Sequence, residues 1–357
     1  MTDREETLLE AARRGDAAAF SQLVASHRPA LHAHCYRMLG SVQDAEDALQ
    51  DALLSAWRAL PRFEGRSSLK SWLYRIATNA CLKTIERRPK RVLPVDYGPQ
   101  ADPHDPLAQP IVESIWLEPY PDTGLELEDR LPSPDVRYEQ RESVELAFVA
   151  ALQYIPGRQR AVLILRDVLG FTAREVAATL EMTPAAVDTA LQRAHKTVDD
   201  RLPARSQQVT LKALGDDRLR ELVDRFVDAW ERADVGSVVA MLAQDATITM
   251  PPRPTWYRGQ DAVASFLRTV ALAADKRWRL LPVNANGQPA VAEYLWNDRT
   301  QRFVAEAVTV LTMADNLIAD ITSFRRPDLF ARFGLPDHLE PQSRAPAPGH
   351  LDRTNTN

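Results

Sequence analysis

The sequence predicts a multidomain protein in which two all-α modules, the second a helix-turn-helix, precede an α+β domain shaped as a cone of curved sheet with helices on one face. Three observations carry this. Helical periodicity fills residues 5–91 and 141–205, strand-like runs gather only after residue 240, and a proline-rich stretch separates the two helical units. At 357 residues, 45% hydrophobic and 26% charged, the chain is long enough for two or three cores and too apolar to be wholly disordered.

No run of about 18 apolar residues occurs and Met1 to Glu10 is charged throughout, so neither a membrane span nor a signal peptide is expected and the chain is placed in the cytoplasm. Cys35 and Cys81 lie in separate helical segments without metal-ligand company. They read as reduced, buried thiols, with no metal and no cofactor expected. The net charge of -5 hides a division. Residues 1–91 carry 15 basic and 11 acidic side chains, residues 92–140 carry 2 and 11, and residues 141–205 carry 9 and 8. A chain that coats DNA by bulk charge does not look like this, so any nucleic-acid contact must be local.

Residues 5–91 read as four or five helices. Ser41-Val42-Gln43-Asp44 opens one with a capping-box-like pattern in which Asp stands where Glu is usual. Apolar residues then recur with helical period from Ala45 to Leu60, leaving Asp44, Asp47, Gln50 and Asp51 off the stripe. Such acids are either a solvated helix start, which favours negative charge, or a docking face. A polar loop follows, with an exposed aromatic, Phe63, and with Arg66. The next helix, from Leu69 to Lys83, bears Lys70, Trp72, Tyr74, Arg75 and Asn79. Interleaved rings and cations suit single-stranded DNA, because rings stack on unpaired bases while cations hold the backbone. Trp72, with Leu73 and Ile76, equally suits a core.

The run Asp44 to Asp51, then Phe63, then Ser71-Trp72-Leu73-Tyr74-Arg75-Ile76-Ala77-Thr78-Asn79 resembles region 2 of the sigma-70 family, specifically its extracytoplasmic function (ECF) group, over about residues 20–91. The resemblance implies that Asp44, Asp47, Gln50 and Asp51 meet the clamp helices of the RNA polymerase β′ subunit. It implies equally that Phe63, Arg66, Lys70, Trp72, Arg75 and Asn79 open and read the minus-10 element of promoter DNA.

Residues 92–140 form an acidic linker: ten of the chain's 25 prolines lie between Pro89 and Gln140, and proline fixes the backbone and removes donors. Within it, Trp116 and Tyr120 are large rings whose exposure forfeits about 1.5–3 kcal/mol each relative to burial. They are expected to dock on the C-terminal domain, the alternatives being that they fold back on the helical modules or remain exposed.

In residues 141–205, Thr172-Ala173-Arg174-Glu175 is a capping box and Met182-Thr183-Pro184 a turn that starts a second helix running to about Asp200. Val187, Leu191, Ala194 and Val198 keep its inner face apolar; Thr183, Asp188, Thr189, Gln192, Arg193 and Lys196 stay outside. Two short helices in this relation make a helix-turn-helix, whose second helix enters the major groove. Together with Ile155 to Arg166, the segment resembles sigma region 4 over about residues 143–203. That resemblance assigns minus-35 recognition to Arg158, Arg174, Thr183, Thr189, Gln192, Arg193 and Lys196. Asp188, Asp199 and Asp200 make the recognition helix less basic than in many relatives.

A further break is expected at Arg201 to Ala213. From residue 214 to 336, helices over 218–234 and 260–273 and strand-like runs at 246–250, 277–283, 289–296, 303–313 and 317–324 give the α+β cone, with turns at Asn286-Gly287 and Asp315-Asn316. This pattern, with Tyr257-Arg258-Gly259, resembles SnoaL-like domains of the nuclear-transport-factor and ketosteroid-isomerase superfamily. In the isomerases an Asp just past the first strand takes the proton; here Met250 stands there, so no carboxylate is assigned and the domain reads as regulatory, not catalytic. Trp256, Tyr257, Trp278 and Trp296 read as core more readily than as a pocket lining. Residues 337–357 are expected to be a disordered tail.

The combined reading is a modular ECF sigma factor that binds the polymerase core (β′ clamp helices and β subunit) and promoter DNA, with the fused domain acting in cis and open to an unidentified small ligand, and with no membrane partner. The alternatives are a DNA-binding regulator independent of polymerase and a SnoaL-type isomerase or hydrolase with a DNA-binding appendage.

Overall fold

The computed structural model describes residues 3–111, 115–124 and 144–341. The first module holds five helices: α1 (Asp3–Arg13), α2 (Ala17–Ala25), α3 (Arg28–Leu39), α4 (Val42–Ala59) and α5 (Leu69–Arg87). A short turn of helix, α6 (Pro94–Tyr97), begins the linker. The second module comprises α7 (Leu146–Leu152), α8 (Gly157–Leu163), α9 (Ala173–Leu180) and α10 (Pro184–Asp199). Both predicted starts of the helix-turn-helix are built as the sequence implies. The Thr172 N–H donates to Glu175 Oε2 at 2.8 Å while the Glu175 N–H donates to Thr172 Oγ1 at 3.3 Å, and Thr183 Oγ1 accepts from the Ala186 N–H at 3.2 Å.

The expected break at 201–213 is partly wrong: Gln207–Leu214 is a helix, α11, capped by Ser206. The C-terminal domain continues through α12 (Asp216–Glu231), α13 (Val235–Ala240), β1 (Leu242–Thr249), β2 (Trp256–Arg258), α14 (Gln260–Phe266), β3 (Trp278–Ala285), β4 (Gln288–Asn297), β5 (Arg302–Ala314), β6 (Leu317–Phe324) and β7 (His338–Leu339). The sheet order is β2-β1-β6-β5-β4-β3, with β7 beside β5, and β1 and β6 run parallel. The tail expected from residue 337 therefore starts later, because His338 and Leu339 pair with Val304 and Phe303; residues 342–357 lie outside the described residues. Among the described residues, no helix is long and apolar enough to cross a membrane.

One face of the sheet is covered by α12 to α14, with Phe226, Trp230, Tyr257 and Trp278 buried among Ile248, Leu311 and Ile321. These rings are core, and Met250, after the first strand, is buried with them. The two helical modules, predicted as separate units, share one core: Leu31, Leu49 and Leu73 belong to the same buried cluster as Val162, Val187 and Ala194. Arg160 of α8 fixes the join. Its buried guanidinium donates to the carbonyl of Met38 in α3 and to Gln153 Oε1 at 2.7 Å. At the start of α8, Gly157 lies so close to α5 that a Cβ there would stand 3.1 Å from Leu82 Cδ2.

The sequence reading missed a buried carboxyl inside the C-terminal domain. Glu293 opposes Leu280 across β3 and β4 and accepts from Thr309 Oγ1 at 2.6 Å, with Arg325 and Glu306 nearby. Burial pushes it up to about 7. A carboxyl raised in the fold ionises earlier in the unfolded chain, so stability is lost as pH rises from about 4.5 through about 7. Glu293→Gln removes that loss. The variant should melt like the parent at pH 4 and be the more stable of the two at pH 8, by up to about 3 kcal/mol; thermal unfolding at the two pH values checks this, and a difference independent of pH would contradict it.

Candidate partner and nucleic-acid interfaces

The N-terminus of α4 is where the sequence placed an acidic docking face. Ser41 caps it, its Oγ accepting from the Asp44 N–H at 3.1 Å. The reciprocal carboxylate comes from the linker instead of from Asp44: Glu118 Oε2 accepts from Ser41 Oγ and the Val42 N–H, each at 2.9 Å, and from the Gln43 N–H at 3.3 Å. An anion at a helix N-terminus satisfies donors that the helix itself leaves unpaired. Asp44 turns the other way. It is 4% exposed and paired with Arg88 and Arg91, which corrects the expectation that it projects from the surface. Asp47, Gln50 and Asp51 do project. They form one wall of a groove of roughly 850 Å3 between α4 and α5, opposite Asn79, Lys83 and Arg87, with Leu54 half-exposed on its rim.

The proposed strand-opening residues divide. Arg66, Lys70, Arg75 and Asn79 are exposed. Phe63 and Trp72 are buried against one another with ring centroids 4.9 Å apart, and Arg13 donates to the Phe63 carbonyl. The expectation of an exposed Phe63 is thus corrected: the loop folds back and its ring covers the first turn of α5. The second module also covers part of α5, since Phe171 packs on Tyr74 at 5.5 Å and lies under the Lys70 ammonium at 6.0 Å. On α10, Thr189, Gln192, Arg193 and Lys196 are exposed together, and Arg158 and Arg174 are exposed outside it. Thr183 is exposed too, although its hydroxyl already serves as the helix cap.

The linker is not a free spacer. From Gly98 to Ile111 it runs along the C-terminal domain, where Trp256 Nε1 donates to the Gly98 carbonyl at 2.9 Å and the Ile111 N–H donates to the Pro252 carbonyl at 2.9 Å. Trp116 packs on Tyr97 and donates to the Ile111 carbonyl. Tyr120 is fully buried between modules: its hydroxyl meets His32 Nδ1 at 2.7 Å and its ring lies 4.5 Å from Tyr36. Residues 125–140 of the expected linker lie outside the described residues.

The hairpin tip between β3 and β4 closes this junction. Asn286 adopts φ 58°, a left-handed conformation that Asn tolerates better than most residues. Its Oδ1 accepts from the Tyr120 N–H at 2.8 Å, and its Nδ2 donates to Tyr36 Oη at 2.8 Å and to the Val144 carbonyl at 2.7 Å. A second carboxylate cap secures the other side, where Glu145 accepts from the Gln207 and Gln208 N–H groups that start α11.

Comparison with known proteins places the chain in a family. Residues 23–91 match Sigma-70 region 2, residues 145–198 match Sigma-70 region 4, and residues 223–321 match the SnoaL-like domain family. The chain is 40% identical over 329 residues to the ECF RNA polymerase sigma factor SigG of Mycobacterium tuberculosis, spanning 92% of this chain and 86% of that one. The chain belongs to the ECF sigma factor family. It is a sigma factor of that family with a C-terminal SnoaL-like domain. The RNA polymerase sigma-H factor of Pseudomonas aeruginosa is 27% identical over 56% of this chain and 94% of its own length, which confines that likeness to roughly the sigma portion. The crystal structure of the M. tuberculosis ECF sigma factor SigJ superposes on 88% of this chain and 99% of its own with a TM-score of 0.54 at 21% identity; that shows a common fold.

Truncating Asn286 to Ala in this sigma factor leaves the Tyr120 N–H and the Val144 carbonyl short of a buried partner, each such group costing about 1–3 kcal/mol, while the Tyr36 hydroxyl keeps the Glu118 carbonyl. The expected outcome is a lower denaturant midpoint and a broader distance distribution between labels on α4 and β4, read by fluorescence resonance energy transfer.

Proposed function

We propose that this sigma factor engages polymerase through Asp47, Gln50 and Asp51, meeting the β′ clamp helices, and reads promoters through the exposed residues of α5 and α10, with the SnoaL-like domain acting in cis on the spacing between the two helical modules and catalysing nothing itself. Asp44 takes no direct part, since it is spent on Arg88 and Arg91. The observation that carries the cis reading is the junction in which Asn286 hydrogen-bonds residues of region 2, the linker and the start of region 4 at once.

Geometry gives that junction a consequence. The minus-10 and minus-35 elements lie about 25 base pairs apart, roughly 85 Å of duplex. Regions 2 and 4 share one core here, with Phe171 against Tyr74. They must part to hold both elements, and any ligand or partner that prefers the docked or the parted form shifts promoter engagement by no more than its differential affinity. An isomerase reading would rest on the buried carboxyl of Glu293; a turnover assay is its direct test. A regulator independent of polymerase would leave the half-exposed Leu54 and the acids around it without a partner.

Asp47→Lys with Asp51→Lys should weaken binding to core polymerase at least about tenfold, since rim charges face basic groups on the partner, while circular dichroism stays unchanged; undiminished affinity would remove this surface from the mechanism. For promoter reading, Gln192→Ala and Arg193→Ala should erode discrimination at individual minus-35 bases by about 1–3 kcal/mol. Lys196→Ala should instead lower affinity for all sequences and flatten the salt dependence. Binding to a set of single-base promoter variants separates the two patterns.

A further inference from the structure

The outer face of the C-terminal sheet, opposite the helices, changes character along its length. Beside β4 it is apolar: Ala290, Val310 and Phe324 are sealed by Leu146 of region 4 and Leu329. Toward β1 it becomes polar. Thr247 and Thr312 flank Asp320 on adjacent strands, and Thr249 stands beside Thr322 in the next rung. Thr247 donates to Asp320. Thr249 is 3% exposed, and its hydroxyl has no hydrogen-bond partner among the described residues.

These side chains floor a cleft of roughly 770 Å3, within the size range of small-molecule sites. Its walls come from three other parts of the chain: Leu93 and Val95 of the linker, Leu146 and Ala147 at the start of region 4, and Leu202 and Pro203 after it. Arg205 and Asp315 pair across the rim at 3.4 Å. A sheet surface packed against another module is ordinarily apolar, and an unpaired buried hydroxyl costs free energy unless something meets it. Arg201, Gln207 and Thr210 also line the cleft, and polar groups converging on the floor between apolar walls are the arrangement that orients a ligand.

We propose that this cleft binds a small amphipathic molecule that presents a hydrogen-bond donor, a hydroxyl or an amine, to Asp320 and Thr249 and lays its apolar body against Leu93, Leu146 and Leu202. The Asp320 carboxylate disfavours an anion at the floor, while Arg201 and Arg205, both exposed, also line the cleft. Burial raises that carboxyl and the Arg258 guanidinium lowers it, with Asp245 on the same side of the balance as burial. Because the walls belong to the linker and to region 4, an occupant is gripped only while the modules are docked. The site deepens the proposed cis action, yet it stands on the docked geometry alone; binding is measured directly, so a failure to bind and a failure to alter transcription are separate results.

The test uses the full-length protein and three probes with one apolar body: 2-phenylethanol, phenethylamine and phenylacetate. Saturation-transfer NMR should show the alcohol and the amine binding, with phenylacetate at least about tenfold weaker. Thr249→Val, nearly isosteric, should weaken both binders about tenfold by removing the hydroxyl. Asp320→Asn should weaken the amine more than the alcohol, and Ala147→Phe, which closes the cleft from the region 4 wall, should abolish both signals. Circular dichroism establishes that each variant is folded. The proposal is overturned if neither donor-bearing probe binds, if phenylacetate binds as well as they do, or if binding survives Ala147→Phe together with Thr249→Val.

Discussion

The arrangement of this sigma factor depends on one buried amide. Asn286, at the tip of a hairpin in the C-terminal domain, uses its side-chain oxygen and both side-chain donors' reach to satisfy the backbone of Tyr120, the hydroxyl of Tyr36 and the carbonyl of Val144. Its own N–H donates to the Tyr120 carbonyl. Four parts of the chain, far apart in sequence, thus meet where all four residues are fully buried, and each polar group needs its partner because an unmet buried donor or acceptor is costly. Tyr36 passes the connection on by donating to the Glu118 carbonyl at 2.8 Å, and the Glu118 carboxylate carries it to the start of α4 and to Arg326 at 3.2 Å.

Two carboxylates follow the same design. Glu118 caps a region 2 helix from the linker, and Glu145 caps α11 from the start of region 4. In each case a carboxylate serves as a structural bond between modules. The desolvation of such a charge is offset only when several donors converge on it, which makes these contacts exacting in geometry and sensitive to a change in either partner. Docking by polar junctions of this kind, together with an apolar patch around Leu146, suits modules that hold a definite arrangement and still have to part.

The surfaces proposed to meet polymerase and promoter lie outside the junction. Asp47, Gln50 and Asp51 face solvent on α4, and Gln192, Arg193 and Lys196 face it on α10. What the docked form withholds is separation: region 4 lies on α5 itself, with Phe171 beside Lys70 and Tyr74. The same docking that brings the modules together creates the threonine-floored cleft, since no single module supplies both its floor and its walls.

Local order was legible in the sequence. The capping box at Thr172, the turn at Thr183-Pro184, the strands near 303–313 and 317–324 and the turn at Asn286-Gly287 are all formed close to where periodicity and turn chemistry put them, because these features are set by neighbours within a few residues. Family resemblance, carried by Asp44 to Asp51 and Ser71 to Asn79, gave the sigma assignment. The sequence could not tell which of those residues face water. Asp44 and Asp47 sit three apart on one helix, yet Asp44 is buried because Arg88 and Arg91, more than forty positions later, turn back onto it. Phe63 and Trp72 satisfy each other for the same kind of reason. The merging of regions 2 and 4 into one core, the helix at Gln207–Leu214 within an expected break, the buried Glu293 and the half-buried Asp320 were decided by pairings across tens to hundreds of residues. Charge and hydropathy along a chain report what a residue prefers, and only the tertiary structure supplies the partner that overrides the preference.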